Sequence, residues 1–219
     1  MLRTRTIDTL ALFLLLFPPL LFGADLSSYR GFRFGMSLRA AVKQSGMNMA
    51  GVTTIHQRPA RIQELAWNPA ASKDLDPVQR LTFSFYNGSL FRMVVDYDSR
   101  KTEGLRVEDL VEPLSAIYGV GSRPAEETSL PSASFSGGMT VLARWEDSDY
   151  VLNLVQSPYG SRFGVIASSK HLDSLAEAAI ATGIRLDEQE APQREKLEEQ
   201  NIQMQLDKIR LVNKPNFRP

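Results

Sequence analysis

The chain has 219 residues, 43% of them hydrophobic, and it carries 25 basic and 25 acidic side chains. This length and composition favour one globular domain, with or without an appendage, that buries a sizeable core. The balanced charge lacks the basic excess or basic stripe that is typical of nucleic-acid-binding proteins, so we expect no nucleic acid partner. Because the sequence contains no cysteine, disulfides, thiolate catalysis and cysteine-ligated metal centres are excluded.

The N-terminus has the pattern of a secretory signal peptide. Two arginines near the start precede an apolar run at 10–22, and the small residues Gly23 and Ala24 follow it. The run is shorter than the roughly 20 residues that a membrane-spanning helix needs. We therefore predict that 1–24 is a signal peptide and that the rest of the chain is exported. An uncleaved N-terminal anchor is the alternative.

The lack of cysteine also bears on the compartment. It removes the residue that a bacterial lipoprotein carries directly after its signal peptide. Small secreted domains of eukaryotes rely heavily on disulfides, so a cysteine-free exported chain fits a bacterial envelope better. We expect a periplasmic or extracellular protein that is not a lipoprotein and that has no transmembrane span once the signal peptide is removed.

The mature chain begins with a short helix and two short strands. Ser37 is a good N-cap and Gly46 a good C-terminal residue for a helix at 38–45, whose apolar residues share one face. Strands are predicted at 52–56 and 61–67.

The clearest unit in the sequence is a β-hairpin. Leu81, Phe83 and Phe85 alternate with polar residues in one extended run. Asn87-Gly88 separates this run from the next, and Asn-Gly favours a type I′ turn because that turn needs φ > 0 at both central residues. Aromatic residues cluster on the hairpin, and core packing accounts for one of its faces. If the other face is apolar too, we expect a helix, the C-terminal tail or a partner to cover it.

The second half of the chain repeats this alternation of helix and strands. A helix is predicted at 106–118, where Pro113 either kinks the helix or lies in the first turn of a shorter one. The segment at 120–138 is rich in serine, glycine and proline, so we expect a long mobile loop. Three further strands are predicted at 139–145, 150–156 and 163–168.

A further helix is predicted to begin near Ser169 and to end at Gly183. Its expected buried face consists of Leu172, Leu175, Ala176, Ala179 and Ile180. The predicted order is therefore helix, four strands, helix, three strands, helix. This order favours the α+β class, with an antiparallel sheet of hairpin-linked strands and helices packed on one face.

The composition changes from Leu186 onward. Acidic residues dominate 187–199 and basic residues dominate 207–218. This polarity matches the dipole of a charged C-terminal helix at about 192–212, with Pro192 in its first turn. The predicted division of the chain is 1–24 as signal peptide, 25–185 as globular α+β domain, and 186–219 as charged C-terminal helix and tail.

One side of the C-terminal helix carries a narrow apolar stripe. Ile202, Leu206 and Ile209 form it. A second apolar set lies on a different side: Leu197, Met204 and Leu211. A narrow stripe docks either on its own domain or on a partner. We predict that Ile202, Leu206 and Ile209 bind a partner, and a solvated helix attached to its own domain is the alternative.

The sequence shows no recognisable catalytic, cofactor-binding or metal-binding set. His56 and His171 have no ligand spacing around them, and the nucleophile-elbow, P-loop and dinucleotide-binding motifs are missing. Three acidic pairs have the i, i+2 spacing that puts two carboxylates on one side of an extended chain: Asp74/Asp76, Asp96/Asp98 and Asp147/Asp149. Such pairs would suit calcium or a glycosidase, although aspartate is also favoured in turns. We predict no cofactor, no metal and no catalytic residue.

Several short motifs resemble those of small bacterial envelope proteins. They are G-x-x-x-G-M-S before the first helix, N-G-x-L-F at the hairpin, and a helix that ends in Tyr-Gly. The residues concerned are Gly31, Gly35, Met36, Ser37, Asn87, Gly88, Leu90, Tyr118 and Gly119. In these motifs the chain resembles outer-membrane assembly lipoproteins of the SmpA/OmlA type and their β-lactamase-inhibitor-like relatives.

The resemblance covers about half of the mature chain. The chain departs from that family because it has no lipobox cysteine and adds a second group of strands and a charged tail. The resemblance implies a non-enzymatic binding or scaffold role at the envelope, without assigning any binding residue.

Three functions are compatible with these observations. We expect a non-catalytic exported protein that acts as an interaction or scaffold module in the cell envelope, with another envelope protein as its partner. An exported hydrolase that uses Asp96 and Asp98 is one alternative. A protein that binds a small ligand or lipid in the groove between sheet and helices is the other. The sequence leaves the oligomeric state open.

Overall fold

The computed structural model describes residues 25–69, 76–124, 129–130, 138–157, 162–216 and 218. The predicted signal peptide lies outside these residues. The strands are β1 (Ser28–Tyr29), β2 (Phe32–Arg33), β3 (Val52–His56), β4 (Ile62–Trp67), β5 (Val78–Tyr86), β6 (Ser89–Tyr97), β7 (Ser129–Leu130), β8 (Met139–Glu146), β9 (Tyr150–Gln156) and β10 (Phe163–Ser169). The helices are α1 (Leu38–Ser45), α2 (Val107–Tyr118) and α3 (Lys170–Asn213).

The predicted α+β class is confirmed. In the described part of the chain, eight strands form one antiparallel sheet in the order β3-β4-β5-β6-β10-β9-β8-β7, and β1 and β2 form a separate hairpin. The large sheet therefore consists of two four-stranded meanders that meet where β6 pairs with β10. The predicted element order is confirmed apart from the two-residue strands β1, β2 and β7, which are too short for a periodicity to reveal.

The predicted hairpin is β5–β6, and its turn is the predicted one. Asn87 and Gly88 have φ values of 48° and 83°, as a type I′ turn requires. The turn is held on both sides. Asn87 Oδ1 accepts a hydrogen bond of 2.9 Å from the amide of Arg61, and Gly88 O accepts one of 2.9 Å from the amide of Leu38 at the start of α1.

One face of the sheet carries the main core beneath α1 and α2. Because successive strand residues point to opposite faces, Leu81, Phe83 and Phe85 all enter this core. The predicted capping of α1 is confirmed, since Ser37 Oγ accepts from the amide of Ala40 at 3.2 Å. α2 contributes two buried side chains to the same core, Leu114 and Tyr118.

The other face of the sheet is covered in part by the first half of α3. Ile62, Phe91 and Ala176 form a buried cluster there, with Leu172 and Ile180 packed against it. Leu175, which was predicted to be buried, is 38% exposed. The prediction for Leu175 was wrong because the fully buried side of α3 consists of the small residues Ala176, Ala179 and Gly183. Successive residues of a helix are turned by about 100° from each other, so Leu175 points away from the side on which Ala176 lies.

α3 continues without a break through Gly183 and Pro192, so the predicted helix end at Gly183 and the separate helix start at Pro192 are wrong. Gly183 is buried, and a Cβ at this position would lie 2.8 Å from the carbonyl oxygen of Arg58. The lack of a side chain at Gly183 therefore allows α3 to pack closely against the β3–β4 connection, and the helix continues past this residue. Pro113 is likewise accommodated inside α2.

Two parts of the predicted loop at 120–138, namely 125–128 and 131–137, lie outside the described residues, and the described remainder is partly a strand. Ser129–Leu130 pairs with the start of β8, and Ser122 exchanges backbone hydrogen bonds of 2.7 and 2.8 Å with Arg144. Trp145 explains why this segment lies close to the sheet. Its indole nitrogen donates to Gly119 O at 2.8 Å, so the chain after α2 is held at the core.

Candidate functional site

The C-terminal half of α3 is not covered by any part of the domain that the structure describes. Every residue at 191–213 is exposed, and Glu190 is the last one that is partly buried. At about 1.5 Å per residue, this segment extends for about 35 Å. We call 191–213 the arm. The arm is solvated and continuous with the first half of α3, which packs on the sheet.

The three predicted partner-binding residues lie on the arm. The side chains of Ile202, Leu206 and Ile209 are 53%, 54% and 56% exposed. These three residues are separated by four and then three positions, and the same alternation continues toward the N-terminus with Glu199 and Glu195. All five residues therefore lie along one line of the helix, which we call the seam. The N-terminal part of the seam is acidic and its C-terminal part is apolar. The second apolar set is exposed on another side of the arm: Leu197, Met204 and Leu211.

Two ion pairs fix the base of the arm. The guanidinium of Arg58, in the connection between β3 and β4, lies 3.0 Å from the carboxylate of Asp187. The same guanidinium bonds Glu190. Both contacts are exposed to solvent, so each contributes little to stability. Their positions one and two turns after Gly183 nevertheless set the direction in which the arm leaves the domain.

A second candidate site is a groove of about 700 Å³ between the β1–β2 hairpin, the end of β6 and α2. We call it the tyrosine groove because Tyr29, Tyr97 and Tyr118 line it. The hydroxyl oxygens of Tyr29 and Tyr97 are 3.2 Å apart, and the hydroxyl of Tyr118 donates to Ser28 O at 3.4 Å. Four apolar residues form the opposite wall: Leu105, Leu110, Leu114 and Ile117.

Burial shifts the acidity of all three tyrosines in the same direction. It raises the pKa of Tyr29 well above its usual range and also raises the pKa of Tyr97. It raises the pKa of Tyr118 to about 12. The phenols therefore stay neutral and keep their hydrogen atoms at physiological pH, which makes them donors toward anything that enters the groove.

We expect an alkaline titration to reveal this burial. The folded chain holds these phenolic protons more tightly than the unfolded chain, so their contribution to stability is complete below about pH 10 and declines above it. For Tyr118 this contribution is lost as the pH rises to about 12. The phenolate absorbance near 295 nm should therefore contain a late component that coincides with unfolding. Tyr118→Phe should remove part of it. A titration complete before about pH 11 would contradict the burial of these groups.

The acidic pair Asp96/Asp98 does not form one site. Asp96 lies on the face of the sheet opposite the main core and lines a cavity of about 190 Å³, and burial raises the pKa of its carboxyl group. Asp98 follows the end of β6 and accepts from the amide of Arg100 at 2.9 Å, which lowers its pKa. The small cavity of Asp96 does not include Asp98, so the geometry gives no support to a hydrolase that uses Asp96 and Asp98 together.

The other predicted acidic pairs also have structural roles. Asp147 Oδ1 accepts from the amides of Asp149 and Tyr150 at 2.8 and 2.7 Å in the β8–β9 turn. Asp76 pairs with Arg30, and Asp74 lies outside the described residues. No group of three or more histidine, aspartate or glutamate side chains in the described ranges is arranged to hold a metal ion. Over the same ranges, no helix has the length and apolar character that a membrane span requires.

Sequence reasoning identified the arm but not the tyrosine groove. The groove joins Tyr29 to Tyr97 and Tyr118 to Ser28, and these contacts link residues 68 and 90 positions apart. Local patterns carry no signal for such contacts. In the comparisons with known proteins, no family model, no curated protein and no solved structure matches the chain.

Proposed function

We propose that this protein is a non-catalytic, exported interaction module of the bacterial cell envelope and that its arm is the contact surface. The observation that carries the proposal is the exposure of Ile202, Leu206 and Ile209 at heptad spacing on the arm, all of whose residues are exposed. The N-terminal pattern at 1–24 supports export. For an exported chain, the lack of cysteine fits a bacterial envelope better than a eukaryotic secreted protein.

The seam of the arm specifies the chemistry of its partner. An exposed helix with an apolar stripe suits a hydrophobic groove on another protein. Glu195 and Glu199 extend the same seam, so the groove that fits it continues into basic residues at the end facing the base of the arm. We infer that the partner is an envelope protein with such a groove. Its association with the arm should weaken with rising salt because the acidic half is solvent-exposed.

The base of the arm supports this role. Gly183 allows α3 to lie directly against the β3–β4 connection, and Arg58 pairs with Asp187 and Glu190 just beyond that contact. The arm therefore leaves the domain in a defined direction. A pre-oriented helix loses less conformational freedom when it binds than a disordered tail does.

The test is partner recovery by crosslinking in the cell envelope, followed by measurement of the dissociation constant with the purified partner. We expect Ile202→Ser/Leu206→Ser/Ile209→Ser to weaken binding by about 100-fold or more, since each buried aliphatic side chain contributes about 1.5–3 kcal/mol. A chain that ends at Glu190 should lose binding while keeping both ion pairs of Arg58.

The chain offers a matched control on the second side of the same helix. Leu197→Ser/Met204→Ser/Leu211→Ser removes as many exposed apolar side chains as the seam variant and should leave the dissociation constant unchanged. Equal loss in the two variants would show that helix stability, not the seam, decides binding. Full binding by the seam variant would rule out the arm as the contact surface, and recovery of only a second copy of the chain would rule out a distinct partner.

A further inference from the structure

The tyrosine groove has an apolar wall that the described part of the domain leaves open. Leu110, Leu114 and Ile117 recur at helical spacing along α2, and the stretch from the first to the last is about 10 Å long. Ile117 is 65% exposed although it lines a concave surface. The volume of about 700 Å³ falls within the range of about 300–1,000 Å³ that is usual for small-molecule sites. An alkyl chain lying along this wall would remove apolar surface from water.

The opposite side of the groove presents a hydrogen-bond donor. The hydroxyl oxygens of Tyr29 and Tyr97 are 3.2 Å apart, and only one of the two hydroxyls can donate to the other. Whichever donates, the hydrogen of the second hydroxyl has no acceptor among the described residues. Tyr29 is only 6% exposed, so the pair lies at the floor of the groove. An acceptor oxygen on a ligand would satisfy the remaining donor.

The charged side chains that line the groove already have partners. The carboxylate of Asp25 lies 3.9 Å from the guanidinium of Arg33. Arg30 pairs with the carboxylate of Asp76. Lys101 Nζ donates to the backbone carbonyl oxygen of Asp76 at 2.8 Å and takes part in a further interaction. An ionic head group of either sign would therefore lose hydration without gaining an unpaired counter-charge, whereas a neutral head group avoids this cost.

We propose that the tyrosine groove binds a neutral single-chain amphiphile whose head carries an acceptor oxygen, the chemistry of a medium-chain ester or alcohol. The head oxygen accepts from the Tyr29–Tyr97 pair, and the alkyl chain lies along Leu114 and Ile117. The apolar wall selects the chain, the phenol pair selects the acceptor, and the paired rim charges exclude an ionic head. This site does not include the arm, so neither proposal depends on the other.

The test of the ligand class is a fluorescence titration of the chain 25–219 with the neutral probe N-phenyl-1-naphthylamine, followed by displacement of the probe. We expect methyl decanoate, whose head is an acceptor without a donor, to displace the probe saturably below its solubility limit. Decanoate and decylamine carry an alkyl chain of similar length with a charged head, so each should compete about tenfold more weakly or worse. Equal competition by either ion would overturn the neutral head group. No saturable displacement by the ester would overturn the site.

Removal of both hydroxyls tests the donor. Tyr29→Phe/Tyr97→Phe replaces both partners of one hydrogen bond by apolar groups of the same shape, so we expect the fold to be kept. Binding of methyl decanoate should weaken by about threefold to tenfold, whereas binding of the probe should not change because the probe carries no acceptor oxygen. Tyr86→Phe removes a hydroxyl outside the groove and should bind the ester like the unaltered chain. Unchanged ester affinity in the double variant would overturn the role of the phenol pair.

Exposed positions on α2 and just beyond it provide a variant and a control for the apolar wall. Ile117→Glu places a charge in the wall and should weaken ester binding by about tenfold or more. Val120→Glu makes the same change at a residue that is 99% exposed and does not line the groove, so it should bind like the unaltered chain. Equal affinities of the two variants would place the ligand elsewhere.

Two further measurements distinguish the groove from other occupants and other surfaces. The chain that ends at Glu190 should bind methyl decanoate with unchanged affinity, because the arm does not line the groove. Loss of ester binding in that chain would overturn the assignment to the groove. Analytical ultracentrifugation tests whether the wall pairs with a second copy of the chain. A dimer that Ile117→Glu converts to a monomer, without any ester binding, would identify a second copy as the occupant and overturn the proposal.

Discussion

Replacement of Phe83 by alanine should lower the free energy of unfolding by about 3–5 kcal/mol. Phe83 is fully buried at the centre of the main core. Its ring centroid lies 4.5 Å from that of Phe32 in the β1–β2 hairpin and 6.4 Å from that of Trp67 in β4. The cavity left by the ring would therefore remove one of the contacts that join the β1–β2 hairpin to the large sheet, beside the Phe32–Trp67 contact.

Urea unfolding, followed by circular dichroism and by the fluorescence of Trp67 and Trp145, measures this loss. Thr82→Ala is the matched control, since Thr82 is the next residue of β5 and points to the opposite face. We expect it to cost less than about 1 kcal/mol. A cost below about 1 kcal/mol for Phe83→Ala as well would mean that this aromatic cluster does not hold the hairpin.

Gly164→Ala should also destabilise the fold, by about 2–3 kcal/mol. Gly164 lies in β10 opposite Asp96 of β6. A Cβ there would lie 2.6 Å from the carbonyl oxygen of Val95, which is backbone of the neighbouring strand. The added methyl group can be accommodated only if the β6–β10 ladder shifts, and this is the ladder that joins the two meanders.

Gly51→Ala is the matched control for this effect. A Cβ at Gly51 would meet the side chains of Leu65 and Met47 at 3.8 Å, an ordinary contact distance. The substitution also reduces the freedom of the unfolded chain, so we expect a change between zero and about 1 kcal/mol in the stabilising direction. If both alanine variants unfold at the same urea concentration, the close approach of β10 to β6 does not require a glycine at position 164.

The parts of the fold that local chemistry determines were predictable. Asn87-Gly88 requires no tertiary information, because few other residue pairs adopt positive φ at both positions of a turn. The Ser37 cap of α1 and the alternation in β5 are equally local. The exposed stripe of the arm was also predictable, because Ile202, Leu206 and Ile209 recur at helical spacing.

The parts that depend on tertiary contact were not predictable. Gly183 has the pattern of a helix end, and only the position of the Arg58 carbonyl oxygen shows why a glycine is needed inside the helix. The spacing of apolar residues along the sequence predicts which side of α3 is buried, but it does not predict which face of the sheet that side covers. The tyrosine groove depends on contacts between β1, β6 and α2, so its donors become a site only when the chain is folded.

The arrangement of the two meanders has a consequence for the speed of folding. Within each meander, neighbouring strands are joined by short connections and can pair as soon as they form. The β6–β10 ladder instead brings Val95 next to Val165, 70 residues later in the chain, so a long loop must close before this pairing contributes. Non-local pairings of this kind slow folding. We infer that closure of the β6–β10 ladder is the late step, and that until it occurs each meander presents an unpaired strand edge through which partly folded chains can aggregate.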